Sequence, residues 1–248
     1  MNDERGLVLG IELSSRQGSV ALLKDGELLA EKSWIAERVR HNTIFQTLEN
    51  LIEEAHISYS DISLFAVGRG PGSFSGMRMS FAVAQALALP SKAEVRAVSS
   101  GAALSLQVAR TLLSAQAEDG QTGVSAPQSI AVVGDARRGQ VWIGLFKVGQ
   151  ASSLSVLEKS RTTVDRLEAC PTLIRDWELI PYEDVDIPNG TVVVSPEAER
   201  LTELFPTLGN PLFPHAKEVA ELAEMQAETE PMEPLYMHPP VFIEPKYS

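Results

Sequence analysis

The amino-acid sequence predicts an internally duplicated α/β fold, and three observations carry that expectation. A buried strand followed by a hairpin opens the chain. A strand pair of similar form recurs in the second half. Between them, an apolar strand runs through a glycine loop into a helix, the order expected of sheet-and-helix layers.

Leu7-Val8-Leu9-Gly10-Ile11-Glu12-Leu13 is a short, nearly continuous apolar run, as a central strand covered on both faces would be. Segments 18–23 and 27–34 flank Lys24-Asp25-Gly26, and an Asp-Gly pair supplies the positive φ angles of a tight hairpin turn. Over 42–55, Ile44, Phe45, Leu48, Leu51, Ile52 and Ala55 fall at helical spacing, with Glu49, Asn50, Glu53 and Glu54 opposite. Thr43 with Gln46 fits a capping box that starts this helix near His41 and Asn42. The run 64–68 reads as another buried strand and ends in Arg69-Gly70-Pro71-Gly72, which neither strand nor helix can continue. A second helix over 73–89 carries Met77, Phe81, Ala84, Leu87 and Ala88, with enough small residues for another helix to approach closely.

The second half begins after 98–100 with an Ala- and Leu-rich helix over about 101–115, then a polar loop over 117–128. Strands at 130–133 and 140–148 surround Gly134-Asp135-Ala136-Arg137-Arg138-Gly139. A strand at 191–195, a helix at 217–226 and a Pro-rich tail at 228–248 complete the chain. Leu235, Tyr236, Val241, Phe242 and Ile243 suggest that this tail docks on the surface. A chain of 248 residues with 44% hydrophobic content suits two halves, placed at 1–105 and 106–248.

Composition narrows the chemistry. No apolar run approaches the roughly 20 residues of a membrane span, and Met1-Asn2-Asp3-Glu4-Arg5 lacks the basic-then-apolar order of a secretion signal. The expectation is a cytoplasmic protein with no membrane partner. The lone Cys170 makes no internal disulfide and is read as structural, and one cysteine with four scattered histidines gives no zinc spacing. A net charge of -12 makes the chain a poor grip for RNA by itself, because phosphate contacts need Lys and Arg.

The loop Gly70-Pro71-Gly72-Ser73-Phe74-Ser75-Gly76 leaves two readings open: a helix start that holds an anion on its N–H groups, or a turn that packs the helix tightly on its strand. It lacks the Lys-Ser/Thr end of a P-loop. Glu12-Leu13-Ser14-Ser15 lies where a first strand meets its hairpin, a place where phosphate-transferring folds often keep a metal-binding carboxylate. With no His, Asp or Cys beside it, Glu12 is expected to be solvated or salt-bridged. Asp135 and Arg137, with Arg138, either orient a phosphate or satisfy their own turn. The candidate phosphate vicinity is therefore Glu12, Ser14, Ser15, Gly70, Gly72, Asp135 and Arg137. His41, His56, His215 and His238 each stand alone, no Gly-x-Ser-x-Gly elbow occurs, and no catalytic or metal-ligating residue is assigned.

The segments 10–15, 68–78 and 135–141 resemble, in order and spacing, the TsaB (YeaZ) family of the glycoprotease-like branch of the actin/Hsp70/sugar-kinase superfamily. Pro234-Leu235-Tyr236-Met237 is similar to that family's C-terminal Pro-x-Tyr-Leu motif. The resemblance implies two actin-like (ribonuclease H-like) domains, each a mixed sheet flanked by helices, with the second reduced. It also implies a non-catalytic partner subunit for a TsaD-type transferase, which makes threonylcarbamoyladenosine beside the tRNA anticodon. TsaD-type sequences carry a His-x-x-x-His metal pair at about the positions that hold Ser100 and Leu104 here. Further implied are a TsaE-type ATPase partner, tRNA contact only through the complex, no cofactor on the chain alone, ATP at the complex interface, and a homodimer in isolation. The family pairs through its first-domain helices, which places a partner interface at Ile44, Leu48, Leu51, Ser73, Phe74, Met77, Arg78 and Phe81. Glu12 stands where the family usually has Asp, and Ser75 where it has Thr. An active small-molecule kinase or ATPase of the same fold and a divergent metallopeptidase are the rival functions.

Overall fold

A computed structural model describes residues 6–35, 43–118, 129–147, 171–225 and 230–238, with side chains left aside over 113–118. Its first sheet contains β1 (Leu7–Glu12), β2 (Gln17–Lys24), β3 (Glu27–Ile35), β4 (Ile62–Gly68) and β5 (Glu94–Val98), in the order β3-β2-β1-β4-β5. Strands β1, β2 and β3 pair antiparallel, while β4 and β5 run parallel to β1. The hairpin between β2 and β3 turns at Asp25 and Gly26, with φ of 54° and 81°. These are the left-handed conformations that Asp-Gly tolerates.

Both faces of β1 are covered, which explains its unbroken apolar run. On one face, Leu9 and Ile11 join Val20, Leu22 and Phe65 against Leu48 and Leu51 of α1 (Thr43–Glu54) and Phe81 of α2 (Phe74–Ala88). On the other face, Val8 and Ala66 pack on Ala103 and Leu106 of α3 (Ser100–Glu118), together with a later helix. The second sheet contains β6 (Ser129–Arg137), β7 (Gln140–Lys147), β8 (Thr172–Pro181) and β9 (Thr191–Val194), in the order β8-β7-β6-β9. A different face of α3 serves this sheet too, through Leu104, Val108 and Ala109 against Ile130, Val132 and Phe146. Leu201 of the short α4 (Ala198–Leu201) and Phe205 close its other face. Helix α3 is thus a shared beam between two cores.

Three expectations change. The division at residue 105 is corrected by α5 (Ala216–Met225), which lies on the first sheet: Ala216, Val219, Ala220 and Ala223 pack with Val8, Ala21 and Ala66. Its small side chains let it sit so close that a Cβ on Gly10 would collide with the Ala216 carbonyl. Strands β5 and β8 were not expected from the sequence pattern. Helix α3 runs to Glu118, overlapping the start of the loop expected at 117–128, whose remainder lies outside the described residues, as do Cys170, His41 and Asn42.

The cleft between the two sheets as candidate site

The hairpin ends of the two sheets face each other across a cleft of about 630 Å³. Ser14 and Ser15 from the β1–β2 turn, Gly72, Ser73, Phe74 and Met77 from the glycine loop and α2, and Asp135 and Arg137 from the β6–β7 turn line it. Five residues of the expected phosphate vicinity therefore meet in one place. Glu12 and Gly70 sit behind them in a buried layer.

Glu12 is fully buried, which corrects the expectation of a solvated or salt-bridged carboxylate. One oxygen accepts the Ser14 N–H at 2.5 Å and the other accepts the Ser100 hydroxyl at 2.6 Å. The Ser100 oxygen in turn accepts the Gly70 N–H at 3.0 Å. Burial pushes the Glu12 carboxyl above its ordinary 4.5, against the opposing pull of its Ser100 and Ser14 hydrogen bonds. The strand behind leaves no spare room, since a Cβ on Gly68 would overlap the Glu12 carboxylate.

The glycine loop turns its donors inward. Its Gly70–Pro71 peptide is cis, and Gly70 has φ 96°. The Ser73 N–H donates to the Ser14 carbonyl at 2.6 Å, and the Gly76 N–H donates to the Ser73 hydroxyl at 3.2 Å, so Ser73 caps α2. The Met77 N–H donates to the Ser73 carbonyl at 2.9 Å as the first turn of α2 closes. An anion at this helix start would compete with the chain's own acceptors for these N–H groups.

The charged rim is balanced. Arg16 holds Glu199 in a two-bond fork at 2.8 and 3.1 Å. Asp135 pairs with Arg137 at 2.9 Å and Arg200 at 3.5 Å, and it also accepts the Arg137 N–H at 2.8 Å. Glu197 accepts the Asp135 N–H at 2.9 Å, and burial raises its carboxyl above 4.5. Three arginines thus face three carboxylates among the lining residues. Asp135 and Arg137 are occupied by their own turn and by each other.

The expected partner-interface residues divide sharply. Ile44, Leu48, Leu51, Met77 and Phe81 are between 0% and 6% exposed, so placing a partner contact on them is corrected: Ile44, Leu48, Leu51 and Phe81 cover the chain's own sheet, and Met77 lies against Gly70 at the cleft. Ser73, Phe74 and Arg78 do face outward, with Arg78 over the Phe74 ring at 5.2 Å. Phe45 of α1, at 49% exposure, and Met79 of α2, at 37%, are exposed too. Sequence reasoning missed Ser100 as a partner of Glu12, and it missed Arg69, Glu197, Arg200, Glu230 and His238. Of these, Ser100 and Arg69 stood inside the motif segments and Glu230 and His238 inside the tail expected to dock, whereas Glu197 and Arg200 lay in stretches without a signal. Among the described residues, no three His, Cys, Asp or Glu side chains gather as a metal site would need.

Two mixed sheets that each open with a strand and hairpin, share one helix and face a common cleft define the class: an α/β fold of two actin-like halves. The family model described as TsaD, tRNA N6-adenosine threonylcarbamoyltransferase, matches residues 34–179, and the chain belongs to this family. Within it, the chain is similar to TsaB, the tRNA threonylcarbamoyladenosine biosynthesis protein. It is 31% identical to the Escherichia coli protein over 54% of this chain and 52% of that protein. It is 28% identical to the Bacillus subtilis protein over 56% of this chain and 55% of that one. The matches thus span about half the length of these curated relatives. Among solved structures, YeaZ from Pseudomonas aeruginosa superposes with a TM-score of 0.65 at 25% identity, covering 93% of this chain and 99% of that one. A second P. aeruginosa structure, of an uncharacterized protein with similarity to peptidase YeaZ, gives 0.68 at 24% identity over 94% and 100%. No helix among the described residues is long and apolar enough to cross a membrane.

Proposed function

We propose that this chain is a partner subunit in tRNA threonylcarbamoyladenosine synthesis, a scaffold for a TsaD-type catalytic subunit and not itself the catalyst. The observation that carries the reading is the closed network of Glu12, Ser100 and the Gly70 N–H, in which the groups of the buried layer behind the cleft are bonded to one another. Its hydroxyl and carboxylate offer neither a free nucleophile nor a pair of metal-ligating imidazoles. The names of the relatives support the pathway. The exposed face of α1 and α2, with Phe45, Phe74, Arg78 and Met79, supports a protein partner.

On this reading, tRNA is reached only through the complex, a TsaE-type ATPase joins the same assembly, and any ATP is bound at the subunit junction. The isolated chain, in the cytoplasm, pairs with itself through the surface its partner would cover. The test is copurification of the tagged chain with the TsaD-type protein of the same organism. The parent chain should retain it, and Phe74→Asp should lose it while keeping its circular dichroism and melting temperature. No recovery by the parent chain, or ATP hydrolysis by the isolated chain, would overturn the proposal.

A further inference from the structure

The segment 230–238 does more than lie on the surface, because it touches both sheets. At the first sheet its anchor is Arg69, just beyond β4 and only 8% exposed. The Arg69 carbonyl accepts the Leu235 N–H at 2.7 Å, and its guanidinium donates to the Glu233 carbonyl at 3.1 Å and pairs with Glu230 at 3.2 Å. The second Glu230 oxygen accepts the N–H of Ser99, the residue before α3, at 3.1 Å. A guanidinium this buried requires its charge and donors to be met, and the tail meets them. Between the sheets, the Tyr236 ring lies 4.9 Å from the Phe74 ring at the first residue of α2. At the second sheet, Met237 packs into the cluster containing Trp142 and Val132, and His238 Nε2 donates to the Ala136 carbonyl at 2.8 Å.

We infer that residues 230–238 are a latch that fixes the two sheets relative to each other across the cleft, and that partner docking on α2 tightens it. The second half rests on the partner reading above. Phe74 and Tyr236 are 56% and 43% exposed while stacked on one another, so a protein laid on the outer face of α2 meets both rings. A partner that holds Tyr236 on Phe74 holds the segment whose two ends are tied to Arg69 and Ala136. Coupling of this kind is reciprocal: if docking orders the latch, loosening the latch weakens docking by the same factor. Glu230 makes the sharper probe, because it acts on the latch through Arg69 and Ser99 without touching the stacked rings.

The experiment compares the full chain with its Glu230→Ala and Tyr236→Ala variants, by amide hydrogen exchange and by affinity for the purified TsaD-type protein. Both variants should exchange the Leu235 amide and the 134–136 amides about tenfold faster than the parent, with the central strands β1 and β4 unchanged. Both should bind the partner about tenfold more weakly. Tyr236→Ala leaves Arg69 paired, so it provides the test if Glu230→Ala does not fold. Parent-like exchange at Leu235 and 134–136 would overturn the latch. Faster exchange with parent-like affinity would overturn its coupling to docking and leave the partner reading intact. No binding by the parent chain would remove the partner reading, and the latch would then be decided by the exchange rates alone.

Discussion

Replacing Ser100 by alanine tests the network on which the functional reading rests. The hydroxyl is 2% exposed, donates to Glu12 at 2.6 Å and accepts from the Gly70 N–H at 3.0 Å. Alanine fits the same space, so the cost comes from two buried polar groups left without their partner. At about 1 to 3 kcal/mol each, the loss comes to roughly 2 to 6 kcal/mol. For a chain of this size, at about 2 to 4 °C per kcal/mol, that corresponds to a fall in melting temperature on the order of 4 to 24 °C. The loss should also depend on pH. The Ser100 hydrogen bond favours ionised Glu12 against burial, so its removal raises the Glu12 carboxyl further and costs more at alkaline than at acid pH. Urea unfolding of Ser100→Ala and the parent, followed by circular dichroism at acid and alkaline pH, reads both quantities. A loss under about 0.5 kcal/mol at both ends would refute the network, since that is the scale of an ordinary surface substitution. An equal, large loss at both ends would leave the network but remove Glu12 as its titrating member.

Two further predictions concern the whole fold. Glu12, Glu197 and Glu218 are all raised above 4.5, chiefly by burial, so from that value upward the folded chain binds more protons than the unfolded one, and stability falls as pH rises through the folded values. His215 is raised above 6.5, chiefly by its hydrogen bond with Glu31, so its stabilisation is complete below 6.5 and is lost as pH rises through its folded value. Both effects have the same sign, and thermal scans should show a higher melting temperature at mildly acid pH than at pH 8.5; the reverse order would contradict them. Met77→Asp and Phe81→Asp each place a charge in a site no more than 6% exposed and should cost several kcal/mol, giving insoluble or unfolded chain. A soluble, folded Met77→Asp protein would show that α2 is not seated as described.

The elements legible in the sequence were those whose signal is local. The unbroken apolar run of β1, the Asp-Gly turn and the glycine loop that opens α2 are set within a few residues of themselves. Strand β8 was missed because Thr172–Pro181 is an edge strand with Arg175, Asp176 and Glu178 in its middle, and its exposed residues mask the alternation that a half-buried strand would show. Helix α5 was visible as a helix, but its place on the first sheet depends on contacts nearly 200 residues away in sequence, as in the Ala216 N–H bond to Ser19. Glu12 shows the same limit at the site. Its carboxylate was evident, whereas its burial depends on Ser100, which lies 88 positions along the chain. The apolar stripes of α1 and α2 misled for a different reason. A stripe shows that a helix face is covered without naming the cover, and here the chain's own sheet is the cover.

The cleft contains the parts from which a phosphate site would be assembled, namely a carboxylate at the end of the first strand, hydroxyls, a glycine loop at a helix start and arginines. Much of their bonding capacity is directed to one another. The Gly70, Ser73 and Gly76 N–H groups are taken up by Ser100, Ser14 and Ser73. Each rim arginine has a carboxylate, and Glu12 is held away from solvent at a raised pKa. A phosphate placed there would have to compete with these ion pairs and buried hydrogen bonds. The same inward bonding stiffens the loop from which α2 starts and the turn that His238 reaches. Under the proposed partner reading, that stiffness would be useful, because a helix held by buried hydrogen bonds loses little conformational freedom when a partner docks on it.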